Sequence, residues 1–109
     1  MSNTNVKTEL FEQFARIGKA LGSAKRLELL EFLAQAERSV DELAQMTGLS
    51  VANTSQHLQR LLRAGLVSSR RDGTRIRYSL ASPDVAELWR NLCRTSEQHV
   101  ANLNRLATA

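Results

Sequence analysis

The chain has 109 residues, 42% of them hydrophobic, enough for one domain with a small core and little more. Cys93 is the only cysteine, which excludes an intrachain disulfide and suits a reducing compartment, so a cytoplasmic location is expected. No run approaches ~18 apolar residues and the start, MSNTNVKTEL, lacks an apolar signal core, so neither membrane insertion nor export is expected.

The net charge of +4 is unevenly placed. Residues 50–80 hold six arginines (Arg60, Arg63, Arg70, Arg71, Arg75 and Arg77) against one acid, Asp72, for a local charge of +5. Residues 1–49 come to −1 and residues 81–109 to zero. One contiguous basic segment is what a phosphate-facing surface requires.

Taken in order, residues 1–5 are polar and expected to be loose. From Val6 to Leu21 the apolar positions Val6, Leu10, Phe11, Phe14, Ile17, Ala20 and Leu21 predict an amphipathic helix. Gly22 ends it and Ser23 caps a second helix, Ala24 to Ala36, apolar over more than half its circumference and expected to be central. Lys25 and Arg26 lie in its first turn, where the helix dipole disfavours cations, so they either contact phosphate or, the expected state, stand exposed to solvent. Residues 36–40 form a connection in which Ser39 caps the next helix, with Glu42 completing a capping box.

Residues 41–64 carry the strongest pattern. Asp41 to Met46 predicts a short helix with Leu43, Ala44 and Met46 inward, Thr47-Gly48-Leu49 a tight turn, and Ser50 the cap of a second helix, Val51 to Ala64. Leu58, Leu61, Leu62 and Leu66 fall at helical spacing late in this segment, whereas its front, Val51-Ala52-Asn53-Thr54-Ser55-Gln56, is small and polar. A helix with an apolar back and a short polar front suits entry into a DNA major groove, because amides and hydroxyls are donors and acceptors for base edges. Residues 66–80 then change period. Two strands, Leu66–Arg70 and Arg75–Leu80, flank the turn Arg71-Asp72-Gly73-Thr74, predicting a two-stranded β-hairpin wing with Arg70, Arg71 and Arg75 at its tip. A last helix begins near Pro83, and Val85, Leu88, Trp89, Leu92, Ser96, His99, Val100, Leu103 and Leu106 recur along it to residue 106.

The fold class expected is therefore mainly α: a single winged helix-turn-helix domain over residues 1–109, with about five helices and the hairpin wing. Helices 1–21 and 83–106 have more apolar surface than one domain can cover, so they predict a homodimer through Leu10, Phe14, Leu88, Trp89, Leu92, Val100 and Leu103.

The segments ALGSAKRLELLEFL and SVDELAQMTGLSVANTSQHLQRLLRAGLVSSRRDGTRIRYSL resemble the ArsR/SmtB family of bacterial winged-helix repressors over roughly Leu10 to Leu80. The most specific part is Gly48-Leu49-Ser50, Ser55-Gln56-His57-Leu58, Leu61-Leu62, Ala64-Gly65-Leu66-Val67 and the Arg71-Asp72-Gly73 wing. The resemblance implies a homodimer on a palindromic operator in double-stranded DNA, released by an inducer. It implies DNA contact from Ser50, Val51, Ala52, Asn53, Ser55, Gln56, His57, Gln59 and Arg60, with Arg70, Arg71 and Arg75 as wing contacts. Gln56 and Asn53 are the expected base readers, and His57 either meets DNA or packs beside Leu58.

Many relatives bind a metal through two cysteines in the run that corresponds here to Glu37-Arg38-Ser39-Val40-Asp41, where Arg38 and Val40 offer no thiolate. Neither a thiolate metal site nor a cofactor is expected, and the inducer is unknown. The alternatives are a metal or redox sensor built from the terminal-helix residues Asp84, Glu97, His99 or Cys93, in which Arg90 and Arg94 would favour a thiolate, and a winged-helix module for protein interaction. Some relatives carry a rhodanese-like domain after the winged helix; the 109 residues hold none, and sulfur chemistry is not expected. No paired acid and base, phosphate loop or nucleophile with a histidine partner is visible, so enzymatic activity is not expected.

Overall fold

The computed structural model describes residues 3–108. Its elements run α1 (Asn3–Leu21), α2 (Ala24–Gln35), β1 (Arg38–Ser39), α3 (Val40–Thr47), α4 (Val51–Arg63), β2 (Val67–Asp72), β3 (Arg75–Leu80) and α5 (Pro83–Thr108). Among the described residues there are thus five helices and one antiparallel sheet, ordered β1-β3-β2. The polar N-terminus expected to be loose is helical from Asn3; residues 1 and 2 lie outside the described residues.

The core sits where α2 meets α3, α4 and the sheet. Leu29, Leu30 and Leu33 of α2, Leu43 of α3 and Leu58 and Leu61 of α4 are buried together with Leu66, Val67 and Tyr78. Ile17, Leu21, Leu80, Val85 and Trp89 close over this cluster from α1, β3 and α5. Each fully buried leucine contributes about 1.5–3 kcal/mol relative to exposure, so this cluster is what sets the angle between the helices.

Three local devices fix the helix-turn-helix. Ser39 accepts from the Glu42 amide at 3.2 Å while Glu42 accepts from the Ser39 amide at 3.2 Å, which is the expected capping box. Hydrogen bonding to the Glu42 carboxylate from the Ser39 backbone and then its side chain, followed by the charges of Arg77 and Arg38, holds that carboxyl below its usual pKa. Gly48 closes α3 at φ +74° and lets the Leu49 amide reach the Ala44 carbonyl at 3.1 Å. Ser50 then caps α4 by accepting from the Asn53 amide at 3.1 Å.

Three expectations are corrected. The wing is not a bare two-stranded hairpin: β1, read as a connection, pairs with β3 through Arg38↔Tyr78 and Ser39↔Arg77. The hairpin register also runs further toward the tip, with Arg71↔Ile76 and Asp72↔Arg75 paired, so only Gly73 and Thr74 form the turn. Gly73 adopts φ +64°, as a two-residue hairpin turn demands. Finally, Met46 is 39% exposed, and Thr47 takes the buried position, its hydroxyl donating to the Leu43 carbonyl at 2.7 Å.

A Cβ placed on Gly48 meets no atom within 4 Å, so the only cost of a side chain there is the left-handed backbone. Gly48→Ala is expected to lower stability by about 1–2 kcal/mol, read as a shift in the urea midpoint. An unchanged midpoint would mean that the turn is not held in this conformation.

Candidate nucleic-acid interface

The front of α4 stands clear of the domain because its back is anchored. Leu58 and Leu61 are 0% exposed, one turn apart, on the face that meets α2 and α3. Thr54, also 0% exposed, uses its hydroxyl to close on the Ser50 carbonyl at 2.8 Å, adding a polar pin to the first turn. Facing the other way, Ser50, Val51, Ala52, Asn53, Gln56, Gln59 and Arg60 are all exposed, and Ser55 is half-buried. The exposed front therefore offers three amides (Asn53, Gln56 and Gln59), small side chains and one cation, with no acid among them.

Gln59 is partly engaged, its amide reaching the Tyr78 hydroxyl at 3.4 Å and so linking α4 to the root of the wing. His57 does not sit on the front. It is half-buried behind it, and the Arg26 guanidinium lies 3.2 Å from its Nδ1. Burial, followed by the charges of Arg26 and Arg60, lowers its pKa from the ordinary value near 6.5.

The arginines of the wing divide into two kinds. Arg70 makes a bidentate pair with Glu37 at 2.6 and 2.9 Å, and Arg77 bonds Asp72 at 2.9 Å and approaches Glu42 at 3.5 Å. The bonds from Arg70 come first among the causes that hold Glu37 below the usual carboxylate range and raise Arg70. Arg70–Glu37 braces the wing against the segment joining α2 and α3, Arg77–Glu42 braces it against α3, and Arg77–Asp72 ties its two strands together. Arg75 borders the turn and Arg71 lies one position behind it on β2, both in exposed positions that present positive charge to solvent.

Arg26 contradicts its expected exposure. It is 7% exposed, donating from Nε to the Ala20 carbonyl at 2.7 Å and from Nη2 to the Lys19 carbonyl at 3.0 Å. Although it stands in the unfavourable first turn of α2, it caps the last turn of α1, where a cation is favoured. Lys25 is likewise occupied, by the Thr47 carbonyl at 3.2 Å and by Glu28 at 3.1 Å. The Lys25–Glu28 pair is local, at i,i+3, whereas the bond from Lys25 to Thr47 and those from Arg26 to the end of α1 depend on how the elements pack.

On α5, Asp84 and His99 are fifteen residues apart, roughly 22 Å along a helix. Asp84, Glu97 and His99 are exposed, and among the described residues of one protomer no group of three such side chains converges. Cys93 is half-buried, and its thiol pKa is raised by burial and then by Glu97 and Glu31. The redox alternative, in which Arg90 and Arg94 favour a thiolate, finds no support in this environment: Arg90 pairs with Glu87 and Arg94 bonds Asn91, leaving Cys93 a half-buried thiol.

Residues 23–69 match the family described as bacterial regulatory protein, arsR family. A solved homodimeric winged helix-turn-helix DNA-binding domain from Mycobacterium bovis, a possible ArsR-family regulator, superposes with a TM-score of 0.86 at 40% identity, covering 94% of this chain and 93% of that one. The chain belongs to the ArsR family. Its build is that of the family's winged helix-turn-helix DNA-binding domains. Its curated relatives include the HTH-type transcriptional regulator Rv0324 of Mycobacterium tuberculosis, 42% identical over 89% of this chain and 43% of the relative. They also include a probable mercury resistance operon repressor of Streptomyces lividans, 43% identical over 68% of this chain and 59% of the relative. The chain therefore spans about half the length of these two.

Protonation of His57 is disfavoured in the folded state, so the unfolded chain takes up that proton first as the pH falls through about 6.5. This contribution to stability is complete above that pH and declines as the pH falls toward the lowered native value. The urea midpoint is expected to fall between about pH 7.5 and pH 5.5, before the carboxylates titrate, and to fall less in His57→Gln. A midpoint that rises on acidification over that window would contradict the burial of a neutral imidazole.

Proposed function

We propose that the chain acts in the cytoplasm as a homodimeric repressor that binds a palindromic operator and leaves it when an inducer binds. The observation that carries this reading is the combination of an α4 whose polar front is mostly exposed and a wing whose braced root leaves Arg71 and Arg75 outward. The repressor named among the relatives agrees with it.

In this reading α4 enters the major groove, Asn53 and Gln56 pair with base edges, and Ser50, Ser55 and Arg60 position the helix on phosphates and bases. Val51 and Ala52 are small enough to allow close approach. Gln59 is an edge contact because Tyr78 holds it back. Arg71 and Arg75 reach the phosphates or the minor groove beside the site, while Arg70 contributes only if it gives up Glu37.

The two-fold partner is a second copy. Leu10, Phe14, Leu88, Val100 and Leu103 are between 40% and 53% exposed in one protomer, and Trp89 and Leu92 are half-buried at the margin of that surface. Apolar faces of this extent on the first and last helices suit a symmetric interface and would place two copies of α4 on one side of a duplex. An inducer can then act only by binding the DNA-free arrangement better than the DNA-bound one.

Binding to the promoter of its own gene, compared with random duplex of equal length, tests the proposal. Specific affinity is expected, and Gln56→Ala is expected to cost about 1–3 kcal/mol on the specific site with little effect on random DNA. The double change Arg71→Ala with Arg75→Ala is expected to weaken both duplexes and to flatten the log–log salt slope by about two. Equal affinity for promoter and random DNA would turn the reading toward a protein-interaction module, and an unchanged salt slope would remove the wing from the interface.

A further inference from the structure

Behind α4 lies a cleft of about 460 Å³ lined by Arg16, Lys19 and Ala20 of α1, Arg26 of α2, and Arg60 and Arg63 of α4. Five of the six lining side chains are cations, and none is an acid. Glu12 is near, but it borders a separate surface depression that shares Arg16 and Lys19. The base of the cleft is the Arg26 guanidinium, 7% exposed and bonded only to neutral acceptors: the carbonyls of Lys19 and Ala20 and the ring of His57.

That arrangement is electrostatically incomplete. A buried cation normally has a counter-charge, because hydrogen bonds to carbonyls replace its hydration without neutralising it. Here burial and then the neighbouring Arg60 charge lower the Arg26 pKa, and the same two arginines bear on His57. Every charge facing the cleft, from each helix around it, has the same sign. Three donors of Arg26 are committed, and its remaining N–H groups together with the exposed heads of Arg16, Lys19, Arg60 and Arg63 suit an oxyanion with several acceptor oxygens.

We propose that this cleft binds a small anion bearing one or two phosphoryl groups, and that its occupation weakens DNA binding. The volume lies within the range of small-ligand sites and exceeds what a single chloride needs. A duplex backbone offers the same chemistry, but it is convex on this scale and does not reach a guanidinium at the floor of a cleft. The coupling to DNA runs through Arg60, which is shared between this cleft and the front of α4, and through the charge that the anion removes from the recognition side. This second half rests on the DNA-binding role proposed above; the binding of the anion does not.

The test uses the full chain and pyrophosphate, with sodium chloride at equal ionic strength as the control. Calorimetry is expected to show one site per protomer. The NMR titration midpoint of His57 is expected to rise when the anion is present, because the cations that depress it are neutralised. Arg16→Gln combined with Arg63→Gln is expected to weaken pyrophosphate at least about tenfold. Arg26 is left intact because it caps α1, and an unchanged thermal midpoint of the double variant shows that it folds. In the parent protein pyrophosphate is expected to lower promoter affinity beyond the chloride control, and to do so less in the double variant.

Pyrophosphate binding no stronger than the chloride control, or binding unaltered in the double variant, would overturn the site. A double variant that loses duplex affinity but keeps pyrophosphate binding would make these residues part of the DNA surface and would also overturn it. Saturable binding that moves His57 but leaves promoter affinity unchanged would establish the anion site and overturn its regulatory role. Absence of any specific promoter binding would count against the DNA reading alone.

Discussion

Leu58 and Leu61 have no solvent contact and lie against Leu29, Leu30 and Leu43, and the orientation of α4 follows from that seat. A helix whose rear is fixed in a close-packed core cannot rotate without opening a cavity, at roughly 24 cal/mol for each Å³ left empty. The side chains opposite those leucines are therefore presented at a constant angle. Ser50, Thr54 and Gly48 do for the first turn what the leucines do for the later ones: they settle where α4 begins and how it leaves α3. The polar front owes its exposure to the burial behind it.

Electrostatics add orientation to this framework, not much stability. The pairs Arg70–Glu37 and Arg77–Asp72 are open to solvent, which screens them, so they add little to stability. Their consequence is positional: Arg70–Glu37 joins the wing to the segment between α2 and α3, which also lends β1 to the sheet, and Arg77–Asp72 ties the two wing strands to each other. Arg26 plays a related part at the other end of the domain, tying the last turn of α1 to α2 and to the rear of α4. The basic charge that composition places on residues 50–80 is thus of two sorts, one consumed in bracing the fold and one left to face a polyanion.

How much of this could be read from residues alone depended on sequence distance. The caps at Ser23, Ser39 and Ser50, the turn at Gly48 and the hairpin at Asp72-Gly73 were legible, since each is decided within about four residues. The leucine spacing of α4 was legible for the same reason. β1 was not, because two residues carry no period and become a strand only when Tyr78 and Arg77 arrive alongside. The Arg70–Glu37 pair spans 33 residues and the Arg26–His57 contact 31, so no local rule could tell a bracing arginine from a free one. Arg26 even misleads, since the rule against cations in a first turn holds for α2 while the carbonyl end of α1 outweighs it. For the candidate site the division is similar: the exposed face of α4 was legible from periodicity, whereas the engagement of Gln59 and the retreat of His57 behind the helix needed three dimensions.

The central claim is that two copies of a rigidly seated α4 meet one face of a duplex at a fixed separation. Measuring affinity while the distance between operator half-sites is varied addresses this most directly. The account predicts a sharp maximum with half-site centres about one helical turn, roughly 10–10.5 base pairs, apart, and collapse of specific affinity when five base pairs are inserted. Specific affinity that is indifferent to that insertion would show that each α4 binds independently, and would contradict the account.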